Sequence, residues 1–301
     1  MRVLGSAAGG AFPQWNCGCK NCVAVREGRP GYLRRTEDSL SVTADEASYV
    51  LVNASPSVGE QIRRTPELGP RSTRGTPIGA IVLTNGDVDH VLGLFSLRES
   101  QPMSVYSTRA VRDGLDRNVL MRTLARFPGH FVHRELTLGK SVPLLGPDDA
   151  PLGLTVLAEA APGKQALHLE GVTPPSPEDN VCLVLASDRA RLVYAGACGG
   201  FADGPSDVRH LAEGSDAFFF DGTFYSEDEL GTSGCGLKTA ASMAHVPVSV
   251  SLPTLATVSA KRKIFTHVNN TNPLLNPRSK ESKVVAEAGW EVAWDGMTVD
   301  L

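Results

Sequence analysis

Two short stretches carry the residues that could do chemistry. In TNGDVDHVLG, Asp87, Asp89 and His90 follow the apolar run IGAIVLT. Far along the chain, KIFTHVNNTNP ends another apolar run with His267, followed by Asn269, Asn270 and Asn272. Carboxylate and imidazole ligands with open coordination positions suit a divalent metal. The loop residues also suit a capped turn, because Asn85-Gly86 is a turn dipeptide and Asp89 could N-cap the next helix. The second stretch shifts the balance. A histidine and three amides at a strand end are poor core material and mark the edge of a polar site.

A third stretch, NCGCKNC, crowds Cys17, Cys19 and Cys22 into six residues. Zinc-bound thiolates lie about 2.3 Å from the ion, so only a tight loop brings three to one point. Gly18 lets the chain turn between the first pair. The plain alternative is three free thiols, but thiolates without a metal repel one another and oxidise. The spacing therefore predicts a structural zinc with a fourth ligand from elsewhere. Such a site is closed and does no chemistry. Cys182, Cys198 and Cys235 are scattered.

These residues need a scaffold. A chain of 301 residues predicts one large domain over 1–301, with the zinc loop at about 15–23. Hydrophobic residues make up 42%, charged residues 21%, and the formal charge is −4, as for a soluble globular protein. There is no basic stripe, so neither nucleic acid nor an anionic membrane is expected as a partner. No apolar run is long enough to span a bilayer. MRVLGSAAGGAFPQWNC lacks a secretory apolar region, which places the protein in the cytoplasm with its thiols reduced. Short apolar runs such as SYVLVNAS, VCLVLAS and AFFFDGT read as strands buried on both faces. Helical periodicity runs from Ala110 to Phe127 and, more briefly, from Val284 to Gly289. Many strands with interspersed helices predict two sheets with helices outside.

IVLTNGDVDHVLGL resembles the HxHxDH loop of the metallo-β-lactamase superfamily, and IFTHVNN resembles that superfamily's late strand-end histidine. With VLGSAAGGAFPQWNC, LVNASP, FFFDGTF, THVNNTNP and EVAWDGM, the chain resembles the pyrroloquinoline quinone (PQQ) biosynthesis protein B family over nearly its whole length. The resemblance implies an α/β fold, an αββα sandwich of two mixed β-sheets with helices on the outer faces. The cysteine cluster and the DGM ending also resemble the superfamily's phosphodiesterase branch. There the fourth structural zinc ligand is a histidine three residues after the strand-end histidine. The matching position is Asn270, so the implied zinc set is Cys17, Cys19, Cys22 and Asn270.

The departures from the superfamily pattern redirect the chemistry. Asn85 and Asp87 stand where the first two histidines belong, TPPSPEDN holds no third histidine, and Ala197 in YAGA replaces the acid that bridges two metals. A two-metal hydrolytic centre cannot be assembled from what is left. There remain Asp89, His90 and His267, with Asp87 as a fourth or outer ligand. Two histidines and one carboxylate form the set associated with non-haem Fe(II) oxygen chemistry. The resemblance implies the same, because the family is linked to oxidative modification of the precursor peptide's tyrosine. The expectation is a hydroxylase using Fe(II), or another divalent metal, and molecular oxygen on a small tyrosine-derived amino acid or peptide. The rival readings are a non-enzymatic carrier moving PQQ or its precursor towards the periplasm, and a related enzyme of another peptide-derived pathway. The oligomeric state is open, a homodimer included.

Other residues have a functional and a plain reading side by side. His245 matches a catalytic histidine of the superfamily's processing nucleases, where it could relay protons or bind a phenol; it could equally be a helix-end histidine favoured by the dipole. Asp221 in FFFDGTF is either at the site rim, in a catalytic role, or caps a turn. Asn53 and Ser55 either support the metal ligands by hydrogen bonds or form an ordinary turn before Pro56. His130, His133 and His210 have no partner pattern and read as surface residues. Trp15 is expected to pack on the zinc loop.

Overall fold

In the computed structural model, which describes residues 1–119 and 121–301, the strands form two sheets. The first holds β1 (Arg2–Gly5), β2 (Ser39–Val42), β3 (Tyr49–Val52), β4 (Ile78–Val82), β5 (Met103–Ser107) and β6 (Phe131–Glu135), side by side in chain order. The second holds β7 (Ser141–Leu145), β8 (Pro151–Ala160), β9 (Val181–Ala186), β10 (Arg191–Ala195), β11 (Ala217–Asp221), β12 (Arg262–Thr266) and β13 (Trp290–Val292), also in sequence order. Each sheet is mixed. β1 to β3 pair antiparallel and β3 to β6 parallel; β7 to β10 pair antiparallel and β10 to β13 parallel.

The helices are α1 (Lys20–Arg26), α2 (Val58–Arg64), α3 (Val88–Val91), α4 (Arg109–Arg117), α5 (Met121–Ala125), α6 (Val208–Ala212), α7 (Glu229–Thr232), α8 (Val248–Thr254) and α9 (Lys280–Glu287). Side chains alternate across a strand, so a solidly apolar strand feeds two cores at once. On β11, Phe219 joins Val50, Val52 and Val82 between the sheets, while Phe218 and Phe220 face outward onto α6, α8 and α9. On β3, Leu51 turns the other way, towards Val58 of α2 and Val111 and Leu115 of α4. The four layers are therefore helix, sheet, sheet, helix, as expected. Each fully buried phenylalanine contributes about 1.5–3 kcal/mol of burial free energy.

Parallel neighbours end on one edge. β3 and β4 finish at Val52 and Val82, β11 and β12 at Asp221 and Thr266, and the site loops leave from these ends. A bridge between Ala7 and Val268 ties the N-terminal segment of the first sheet to the exit of β12. The turn after β3 needs a glycine opposite it. A Cβ on Gly93 would sit 2.1 Å from the Ser55 carbonyl oxygen, and the Gly93 N–H donates to Ala54.

Several local expectations are corrected. The single helix read over Ala110–Phe127 is two helices, because Asn118 adopts an extended backbone that ends α4; position 120 lies outside the described residues. His130 is not on the surface: it is 1% exposed, with Nε2 at 2.9 Å from the Leu97 carbonyl. Trp15 does not pack on the cysteine loop and is 88% exposed. Among the described residues no helix is long and apolar enough to cross a membrane.

Candidate metal centre

Asp89, His90 and His267 converge. One ligand atom from each lies within 4.8 Å of the others. His267 Nε2 is 3.2 Å and His90 Nε2 3.9 Å from Asp89 Oδ2, and the two rings stand edge-on at 5.5 Å. Asp89 and His90 belong to the short α3, opened by Asp87, whose carbonyl accepts from the His90 and Val91 N–H groups. His267 leaves β12 with φ +57, a left-handed conformation that costs a non-glycine residue about 1–3 kcal/mol and turns the ring into the site.

Both rings are held from behind. Thr84 Oγ1 lies 3.0 Å from His90 Nδ1 and itself donates to Asn53 Oδ1. The hydroxyl's proton is thus committed, so His90 carries its own proton on Nδ1 and leaves Nε2 free. That Nε2 is buried and has no hydrogen-bond partner. A buried acceptor without a partner costs free energy, and a cation beside Asp89 would satisfy it. Thr223 Oγ1 lies 2.8 Å from His267 Nδ1 and 3.1 Å from His245 Nδ1, so one hydroxyl anchors both rings. This donor set fits one divalent ion with positions left open.

The electrostatics agree. Burial alone would raise the Asp89 carboxyl, yet the His90 and His267 rings hold it well below the usual carboxylate range. Burial alone would lower His267, yet the hydrogen bond to Asp89 and the charges of Asp89, Asp38 and Asp221 push it up to about 9. Burial keeps His90 below its ordinary value.

His245 lies beside this group, its ring stacked on His267 at 5.4 Å. Its Nδ1 is 2.6 Å from Asp221 Oδ2. Asp221 also accepts from the Cys198 and Thr223 N–H groups and is fully buried. Asp221 is therefore not at the rim; it orients His245 and caps the turn. Asp87 is not one of the converging ligands, and burial, then the Asp89 charge, raises its carboxyl. Ser55 points away, donating to Gln61. Ala197 stands after β10, beside Cys198, whose N–H is bound to Asp221.

The cysteine loop docks on the segment after His267. Asn270 Nδ2 lies 3.0 Å, 3.7 Å and 3.5 Å from the sulfurs of Cys17, Cys19 and Cys22. Asn21 of α1 donates to the Asn270 and Asn272 carbonyls, and Asn272 donates to those of Gly222 and Thr223. Burial pushes the Cys22 thiol up to about 12, so a bound metal is what would hold it as thiolate. The expected trio does not converge as such: the sulfurs of Cys17, Cys19 and Cys235 lie within 4.8 Å of one another, and Cys22 is outside that group.

Thr84, Thr223 and Cys235 are not legible as site residues in the sequence. The first two had a weak signal, a hydroxyl at the end of a solidly apolar strand. Asp38 is a further surprise. It is buried behind His267, accepting from Tyr194 and from Thr266 Oγ1, and burial raises its carboxyl to about 6.

A family model described as Beta-lactamase superfamily domain matches residues 48–268. The Coenzyme PQQ synthesis protein B of Methylobacterium sp. (strain 4-46) is 42% identical, over 99% of each chain. That of Rhizobium meliloti (strain 1021) is 39% identical, over 99% of this chain and 97% of the relative. The crystal structure of Zn(2+)-bound PqqB from Methylobacterium extorquens superposes with a TM-score of 0.92 at 36% identity, covering 100% of this chain and 99% of that one. A diphosphatase from the PhnP family, at 21% identity and a TM-score of 0.66, shares the fold. With its sandwich and its converging ligands, the chain belongs to the coenzyme PQQ synthesis protein B family of the β-lactamase superfamily.

Proposed function

We propose that this protein acts in PQQ biosynthesis as an Fe(II)-dependent hydroxylase of a tyrosine-derived amino acid or peptide. The observation that carries the reading is the donor set: a partly open Asp89, with 18% of its side chain exposed, and two buried imidazoles, one with a partnerless Nε2. Fe(II) bound there would supply the activation of molecular oxygen. The residues around it have separate tasks. Thr84 and Thr223 fix which nitrogen of each ligand ring faces the ion. Asp221 accepts the Nδ1 proton of His245, leaving His245 Nε2 free to take or return the proton of a phenolic hydroxyl. The buried rings and Asp38 exclude bulk water behind the site. The loss of the bridging acid at Ala197 argues against two-metal hydrolysis.

The test is aerobic turnover of tyrosine-containing candidates by Fe(II)-loaded protein, with product mass recorded. Addition of one oxygen atom, absent in His267→Ala, is the expected result. His267→Ala should weaken Fe(II) binding by ~10-fold or more while leaving the cysteine-bound zinc in place. Tight binding of PQQ itself, with no turnover of any candidate, would favour the carrier reading instead.

A further inference from the structure

We propose that Cys235 is the fourth thiolate of the zinc site, so that the ion in this chain is held by Cys17, Cys19, Cys22 and Cys235, with Asn270 hydrogen-bonding to the sulfurs instead of ligating. This rests on reading the cysteine cluster as a zinc site.

The sulfur geometry carries the argument. Cys17 Sγ and Cys235 Sγ are 3.8 Å apart. Sulfurs bound at about 2.3 Å to a tetrahedral ion stand about 3.8 Å from one another. A disulfide would need about 2.05 Å. The observed separation matches the edge of such a tetrahedron, and Cys22 Sγ, which lies outside this converging group, would move in to complete it. Cys19 Sγ completes a group within 4.8 Å with these two sulfurs. Asn270 meanwhile turns its Nδ2 donors, not a lone pair, towards Cys17, Cys19 and Cys22. Thiolate is also the better zinc ligand than a neutral amide oxygen.

The rest of the site suits four thiolates. Four negative sulfurs around Zn²⁺ leave a net charge of −2, which N–H donors disperse. The Cys19 N–H points at Cys17 Sγ at 3.4 Å, and the Asn270 amide serves three sulfurs. Lys238 lines the adjoining cleft of about 730 Å³ together with Cys17, Cys19 and Cys235. Locally, Gly234 at φ +68 turns the chain out of α7, and the Cys235 N–H donates to the Leu230 carbonyl. The same segment runs on to His245, whose N–H donates to Ala240. A zinc held by Cys235 therefore clips the loop that delivers His245 to the other metal centre.

Cobalt(II) substitution and thiol mapping on the whole protein test this. Cys235 is exposed, so Cys235→Ser should fold. Its cobalt form should lose about a quarter of the thiolate-to-metal charge-transfer absorbance, as four thiolates become three. Its zinc should pass to a chromophoric chelator ~10-fold or more readily than that of the parent. In zinc-loaded parent protein Cys235 should resist iodoacetamide despite its exposure and react once the zinc is removed. Unchanged absorbance and affinity in Cys235→Ser overturn the assignment, as does alkylation of Cys235, or a Cys17–Cys235 disulfide, with zinc retained. Parent protein without tightly held zinc would instead sink the zinc reading itself.

Discussion

Each histidine of the candidate metal centre has a hydroxyl behind it. Thr84→Val keeps the shape but removes the oxygen between His90 and Asn53, so the ring loses its fixed proton and orientation. Outer partners of metal ligands are worth ~10–100-fold in metal affinity, and a loss of that order is expected by iron titration, with a fall in stability of about 1–3 kcal/mol because the buried His90 Nδ1–H loses its acceptor. Protons compete for the same nitrogen. In the metal-free protein His267 is pushed up to about 9, so below that pH an incoming ion must displace its proton. Apparent affinity should therefore rise with pH, by up to ~10-fold per unit, and level off near pH 9. Calorimetry in buffers of different ionisation enthalpy should record about one proton released at pH 7. Binding that is independent of pH from 6 to 8 would contradict this.

Among the elements, α7 carries a pH response of its own. Glu229 is buried at its start, accepting from the Tyr225 N–H and from Thr271 Oγ1, and burial raises its carboxyl from 4.5 to about 7. The folded state thus holds this proton more tightly than the unfolded chain. Its stabilising contribution is complete below pH 4.5 and is lost as pH rises through about 7. Glu229→Gln mimics the protonated form. It should flatten the fall in melting temperature between pH 5 and 8 and be more stable at pH 8 by on the order of 2–3 kcal/mol. Thermal melts of both proteins across that range check the sign.

For the molecule as a whole, the sandwich of the β-lactamase superfamily is present without a two-metal hydrolytic set. Asn85 pairs with Asn180 as a β-bridge, and Ala197 has no carboxylate to share between two ions. No hydrolysis of a phosphodiester or a β-lactam is expected with zinc, manganese or iron, and robust turnover with any of them would contradict the single-ion reading. The fold itself rests on the middle layer. Phe219 is fully buried between the sheets, and Phe219→Ala should cost about 3–5 kcal/mol in denaturant unfolding.

Much of this fold is legible in the sequence. The solidly apolar runs announced strands buried on both faces, because a strand with cores on either side has no polar face to show. The types and order of Asp89, His90 and His267 announced one polar cluster, because strand-end acids and imidazoles are poor core material, and the three do converge. The spacing of Cys17, Cys19 and Cys22 pointed to a zinc loop, but the sulfurs that converge are those of Cys17, Cys19 and the remote Cys235, with Cys22 outside that group. Partners far apart in the chain were not legible. Thr84 and Thr223 look like ordinary strand-end hydroxyls, and Cys235 looks like a stray thiol, 213 residues after Cys22 (235 − 22). The burial of His130 and the exposure of Trp15 are illegible for the same reason: the burial of a single residue without a repeating pattern depends on what packs over it. Sequence pattern reports periodicity and short-range spacing. Which remote side chain completes a hydrogen bond or a coordination tetrahedron is decided only when parallel strands bring their ends to one edge.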